Sequence, residues 1–225
     1  MPLFKSAADA VRDVRNIFCV GRNYGEHARE LGNDVPAEPI IFGKSTHAAM
    51  AIPGTGIVDV SLPSTRDNIH YETEVVLWIS REYQRGMKVS DMVSGIALGL
   101  DLTDRDAQNR LKAQGQPWEY AKGFRHSAVW TDFYSVTEAE WDQVHQTPFT
   151  MVLERGGQQR VAQEGQLSEM IFPLQTLIDY VGQRFYLAPG DVLYTGTPAG
   201  VGPLQTGDVA QLSYGDKLWG SCRFV

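Results

Sequence analysis

Cysteine is scarce in this chain: Cys19 and Cys222 are the two among 225 residues. Neither has a partner at metal-site spacing, and two thiols make no disulfide framework, so reduced core side chains are the favoured reading. A surplus of positive charge is also missing, since 20 Lys and Arg stand against 27 Asp and Glu for a formal net charge of −7. A nucleic-acid face needs clustered cations to displace counterions from phosphate, and a membrane-surface helix needs them to meet anionic lipid; the sequence offers neither. No run approaches the ~20 apolar residues of a membrane span. Residues 1–15 are interrupted by Lys5, Asp9, Arg12, Asp13 and Arg15, unlike the apolar stretch of a signal peptide. Low-complexity runs and internal repeats are lacking too. The expectation is a soluble, cytoplasmic protein with no nucleic-acid or membrane partner. An anionic substrate would have to be drawn in by a few local cations against the global field.

What is present is an ordinary globular composition, 43% hydrophobic and 21% charged. A chain of this length supports one core that hides roughly 70–75% of its unfolded surface. One domain over residues 1–225 is therefore expected, with 1–15 as an N-terminal appendage. Apolar strands are predicted over 17–20 and 40–42, a one- or two-turn helix over 24–31, and a strand over 69–80 whose far end is apolar on both faces. A second buried strand over 94–100 ends at Asp101, and Thr103 with Asp106 resembles a capping box for a helix reaching Gly115. Arg155-Gly156-Gly157-Gln158 reads as a hairpin turn, and 168–183 as an amphipathic helix with Pro173 in its first turns. Short strands separated by turn signals follow. Together these predict a β-rich α+β fold with a mixed β-roll or barrel-like sheet system.

The chemistry-bearing residues begin with His70-Tyr71-Glu72-Thr73-Glu74. On a strand, residues 70, 72 and 74 share one face, alternate side chains lying ~6.5–7 Å apart. Two like charges so placed repel unless a cation lies between them, and Asp101, at the end of another strand, is the best third ligand. An all-oxygen set selects a hard ion, Mg²⁺ first, with Mn²⁺ or Ca²⁺ as alternatives. The bland alternative is the wet face of a half-exposed strand, where a Glu-x-Glu pair is ordinary. His27 and Glu30, at i and i+3, could act as a base and its orienter, or be a casual surface pair. Lys122, within Tyr120-Ala121-Lys122-Gly123-Phe124, hints at a cation in a partly apolar pocket; Arg22 and Lys44 are ambiguous in the same way. The glycine-rich 195–203 segment could offer backbone N–H groups and the Thr197 hydroxyl to a carboxylate. It is neither a P-loop nor a dinucleotide fingerprint, and no serine-hydrolase elbow or zinc-protease pair occurs.

Taken together, Cys19-Val20-Gly21-Arg22-Asn23-Tyr24 with His27 and Glu30, the 70–74 segment, Asp101 to Asp106 with Gln108, Pro117-Trp118 with 121–124, and Gly190-Asp191 leading to 195–202 resemble the fumarylacetoacetate hydrolase family. The likeness is to its small acylpyruvate hydrolase and oxaloacetate decarboxylase branch, and runs from about Ile17 to the C-terminus. It implies metal ligation by Glu72, Glu74 and Asp101, a water-activating His27–Glu30 pair, a catalytic Lys122, and substrate contacts from Arg22, Gln108 and Thr197. It also implies the family's mixed β-roll, Mg²⁺ or a similar ion, a small keto-acid substrate and a homodimer. Two departures from the family pattern occur: Arg125-His126-Ser127 follows Phe124 where Asp and a proline-rich turn are usual, and Gly43-Lys44-Ser45-Thr46 lacks a proline after the lysine.

The activity expected on this basis is metal-dependent hydrolysis of a C–C bond in a 2,4-diketo acid through an enolate carried by the metal. The first alternative is decarboxylation or keto–enol tautomerisation of oxaloacetate at the same site. A second is a non-catalytic metal- or ligand-binding protein, which the presence of His27, Glu30 and Lys122 beside the ligands disfavours.

Overall fold

A computed structural model of the chain describes residues 1–26 and 35–225. In chain order it contains β1 (Leu3–Lys5), α1 (Ala7–Asp13), β2 (Ile17–Gly21), β3 (Ile40–Lys44), β4 (Ala49–Ala51), β5 (Val58–Val60), β6 (Ile69–Tyr71) and β7 (Thr73–Ile79). Next come α2 (Val89–Met92), β8 (Val93–Asp101), β9 (Thr103–Asp104), α3 (Arg105–Ala113), α4 (Glu119–Lys122), β10 (Ala128–Trp130), β11 (Phe133–Ser135) and α5 (Trp141–Gln146). The chain ends with β12 (Phe149–Arg155), β13 (Gln158–Gly165), α6 (Leu174–Phe185), β14 (Val192–Tyr194), β15 (Gly202–Pro203), β16 (Val209–Tyr214) and β17 (Lys217–Phe224).

The largest sheet runs β1-β11-β8-β7-β14-β2-β3, with β10 and β4 added beside β8. A second sheet runs β13-β12-β16-β17-β5, and a third, small one runs β15-β6-β9. Sheets dominate and helices are few, as expected, but the described sheets do not close into a barrel. Residues 1–15 are stitched onto the main sheet: Leu3 pairs with Tyr134, and Asp132 accepts from the backbone N–H of Ala7 at 2.7 Å.

The strand period of two explains why β7 and β8 are buried along their length. Val75, Leu77 and Ile79, with Ile96, Leu98 and Leu100, point into the main core, while Val76, Trp78 and Ala97 point into a second cluster with Cys19, Trp130 and Tyr194. Each fully buried aliphatic of this size contributes roughly 1.5–3 kcal/mol. Even-numbered residues of β7 and odd-numbered residues at the end of β8 therefore share one face.

Several expectations change in detail. The strand expected over 69–80 is broken at Glu72: β6 pairs with β9 and β15, whereas β7 belongs to the main sheet. The cap of α3 is Asp104, whose side chain accepts from the N–H of Ala107, in place of the Thr103 box; Thr103 instead donates its hydroxyl to the carbonyl of Asp101. Pro173 precedes α6 as its cap, because residues 167–169 form a separate 3-10 turn. The 155–158 hairpin forms as expected, with Gly156 and Gly157 both at positive φ, the backbone a tight two-residue turn needs. Of the helix expected over 24–31, residues 27–31 lie outside the described residues. No described helix is long and apolar enough to cross a membrane.

Candidate active site

Three carboxylates meet because adjacent strands present Glu74 of β7 and Asp101 of β8 on one face, and Glu72, in the break just before β7, joins them. Thr73 pairs with Leu100 and Glu74 with Gly99, so the ladder sets Glu72 beside Asp101, whose N–H donates to the carbonyl of Glu72 at 2.8 Å. Carboxylate oxygens of Glu72, Glu74 and Asp101 all lie within 4.8 Å of one another, and all three residues are buried. Asp101, expected from the sequence to lie beside Glu72 and Glu74, does so.

Such a cluster is unfavourable without positive charge, and the fold supplies it. Lys122, at the end of α4, reaches Glu72 at 2.7 Å and Asp101 at 2.6 Å. Its Nζ lies 5.0 Å from the centre of the Phe42 ring, the partly apolar surroundings read from its neighbours. Arg105 opens α3, donates to Glu72 Oε1 at 2.6 Å, and also holds Gln108 Oε1 at 2.7 Å. Lys44, at the end of β3, lies 2.7 Å from Asp101 Oδ1 and also donates to the carbonyls of Leu102 and Lys122. Removing one partner from a buried pair of this kind leaves an uncompensated charge, which costs about 3–5 kcal/mol.

Glu74 is set apart. It accepts the backbone N–H of Gly196 at 2.6 Å, and no salt bridge to it occurs among the described residues. Burial, reinforced by Asp101 and Glu72, pushes its carboxyl well above the ordinary range. Burial alone would drive the Lys122 ammonium toward neutrality, but Asp101 and Glu72 together outweigh it and raise its pKa. A fully buried acid cluster in which one carboxyl has no salt bridge among the described residues matches the donor set of a hard divalent ion.

Around Glu72, a narrow cavity is lined by Arg22, Arg105, Gln108, Lys112, Trp118 and Lys122, among others. Arg22 adopts a left-handed backbone (φ 58°), and its buried Nε has no hydrogen-bond partner among the described residues. Burial, followed by Arg22 and Arg105, lowers the pKa of Lys112 to about 8. Lys44, Arg105 and Lys112 belong to this environment although sequence reasoning left Lys44 ambiguous, passed over Arg105 and did not single out Lys112. The available signal was position: Lys44 ends an apolar strand, and Arg105 follows the acid-rich end of β8 at the first residue of a helix.

The loop after β14 covers the start of β7. The N–H and hydroxyl of Thr195 both bond the carbonyl of Val75, and the Thr197 hydroxyl donates to the carbonyl of Thr73 at 2.9 Å. Thr197 also accepts from Gln163 Nε2 at 2.8 Å, so its hydroxyl as placed locks the loop to the strand. Gln163 was missed; its Oε1 accepts the N–H of Thr73, tying β13 into the site. His27 and Glu30 lie outside the described residues.

This arrangement of sheets and buried acids defines a class before it defines an activity, and the comparisons agree: the chain belongs to the fumarylacetoacetate (FAA) hydrolase C-terminal family, whose model matches residues 16–223. It is 36% identical over 207 residues to an oxaloacetate tautomerase of Escherichia coli, covering 89% of each chain. It is also 36% identical over 200 residues to a mitochondrial oxaloacetate decarboxylase of Dictyostelium discoideum, covering 87% of this chain and 86% of that one. Among solved structures it is similar to a fumarylpyruvate hydrolase from Pseudomonas aeruginosa in complex with Mn²⁺ and pyruvate (33% identity, TM-score 0.82), covering 94% of this chain and 90% of that one.

Proposed function

We propose that the chain is a divalent-metal-dependent enzyme acting on oxaloacetate, interconverting its keto and enol forms, with decarboxylation as the closely related outcome. The observation that carries the reading is the buried Glu72, Glu74 and Asp101 cluster with Lys122 bridging two of its members. Held by those three carboxylates, a Mg²⁺ or Mn²⁺ ion would supply Lewis acidity that lowers the cost of negative charge on the 2-oxygen. The relatives named for oxaloacetate chemistry favour this substrate over the 2,4-diketo acid expected first.

The chain's own residues divide the remaining work. Lys122 brings an ammonium to the place where enolate charge grows, a stabilisation that in comparable sites is worth about 3–4 kcal/mol. Arg105 and Gln108, fixed to each other, form one wall, while Arg22 and Lys112 add positive charge for a carboxylate. These cations oppose the field of a chain with net charge −7 and give a dianion a local destination. His27, set three residues before Glu30, is the proposed base for the C3 proton; this rests on the sequence alone. The fumarylpyruvate hydrolase relative keeps a second reading in play, in which the same base activates water against a diketo acid.

The test is a side-by-side assay of oxaloacetate tautomerisation, CO₂ release, and acetylpyruvate and fumarylpyruvate cleavage, each with Mg²⁺, Mn²⁺ or chelator. Metal-dependent decay of the oxaloacetate enol, with little acylpyruvate cleavage, is expected. Cleavage of either acylpyruvate without oxaloacetate turnover would replace this reading by the second.

A further inference from the structure

Asn23 lies outside the cluster of charges, yet its side chain is fully buried and used at both ends. Its Nδ2 donates to the carbonyl of Thr195 at 2.8 Å and to that of Phe172 at 3.2 Å, while its Oδ1 accepts the N–H of Phe172 at 2.8 Å. Its own carbonyl accepts the N–H of Ile171 at 2.8 Å, and Tyr24 next to it forms a bridge with Met170. The segment after β2 is thereby fastened to residues 170–172.

The Thr195 carbonyl and the Gly196 N–H are opposite ends of one peptide plane, which resonance keeps rigid. One end takes the Asn23 amide, and the other gives its hydrogen to Glu74 Oε2 at 2.6 Å. The flanks of this plane are held by Thr195 on Val75 and by Thr197 on Thr73. With both flanks fixed, the freedom left is rotation of the plane itself, which would turn the N–H away from the carboxylate. The Asn23 amide opposes that rotation. Gly196 has φ +102°, and a Cβ there would lie 2.6 Å from the Cβ of Asn23, so the close approach requires glycine.

We infer that Asn23 is a positioning residue for Glu74: through the Thr195–Gly196 peptide it sets the direction from which that carboxylate is held, and so its readiness to bind a divalent ion. The inference rests on the metal-binding reading above. Residues around a ligand that orient it typically contribute 10–100-fold in metal affinity.

The test uses the full chain and Mn²⁺ as probe. Asn23→Ala is compared with wild type and with Val144→Ala, a core truncation at a fully buried site outside this network. Calorimetric titration should show at least roughly ten-fold weaker Mn²⁺ binding for Asn23→Ala, and its Mn²⁺ electron paramagnetic resonance spectrum should change shape. Val144→Ala should lose thermal stability but keep both. Equal affinity and spectrum in Asn23→Ala, whatever its melting temperature, would make Asn23 a purely structural residue. Absence of Mn²⁺ binding by wild type would instead overturn the metal reading, and this inference with it. If Asn23→Ala does not fold, hydrogen exchange on the wild-type chain decides: Mg²⁺ should slow exchange in 170–173 together with 194–198, and protection confined to 194–198 would refute the coupling.

Discussion

Lys112 is held half-buried near two guanidinium groups, and its pKa falls to about 8 from burial, Arg22 and Arg105. In the unfolded chain the same ammonium titrates near 10.5. Between these values the unfolded chain holds a proton that the folded one has released, so stability contributed by this residue rises with pH across that window. Below about pH 8 the full penalty of a crowded cation is present. Lys112→Met should therefore melt at a higher temperature than wild type at neutral pH, with the two curves converging as pH approaches 10.5. Thermal melts across that range measure it, and a gap independent of pH would assign the gain to packing. The same substitution should raise KM for oxaloacetate if the lysine's charge draws in the substrate.

Among the elements, β8 governs the site, because its last residue is Asp101 and its partner strand carries Glu74. Gly99 lies opposite Glu74, and a Cβ there would meet Val76 at 2.6 Å, the Val129 carbonyl at 2.7 Å and Tyr194 at 2.8 Å. Gly99→Ala should overpack this crossing and cost about 1–3 kcal/mol, read from denaturant midpoints. The element scale also shows what was legible in the sequence. The strands β7 and β8 announced themselves as continuous apolar runs, buried on both faces, and the Gly156–Gly157 turn through its φ requirement. The break at Glu72 was not legible, since β6 and β7 are contiguous in sequence and differ only in which distant strands pair with them. Arg105 and Gln163 were hidden for a similar reason: their roles depend on contacts with Glu72 and Thr73, 33 and 90 residues away. The acid cluster itself was readable because Glu72 and Glu74 stand at i and i+2 in extended chain, which keeps them on one side even though the strand breaks at Glu72.

For the whole molecule, ion binding and folding should be linked. With its pKa raised by burial, Asp101 and Glu72, Glu74 keeps a proton that an ordinary unfolded carboxyl, with a pKa near 4.5, has lost. Stability of the metal-free protein should therefore fall as pH rises above that value, and ion uptake should expel a proton. Mn²⁺ at a hundred times its dissociation constant is expected to add about 2.7 kcal/mol of stability, and at one fixed Mn²⁺ concentration the gain should grow as pH rises, because ion uptake has to displace the Glu74 proton. Calorimetry in two buffers of different ionisation heat would count the released proton, and a count of zero would mean that Glu74 is already ionised. The loop over β7 has a consequence for protein engineering. Residues 195–198 owe their shape to Asn23 on one side and Gln163 on the other, contributed by segments 140 residues apart. A designer who transplants that glycine-rich stretch into another scaffold must carry both distant amides along, or receive a floppy ribbon in place of a ligand-holding wall.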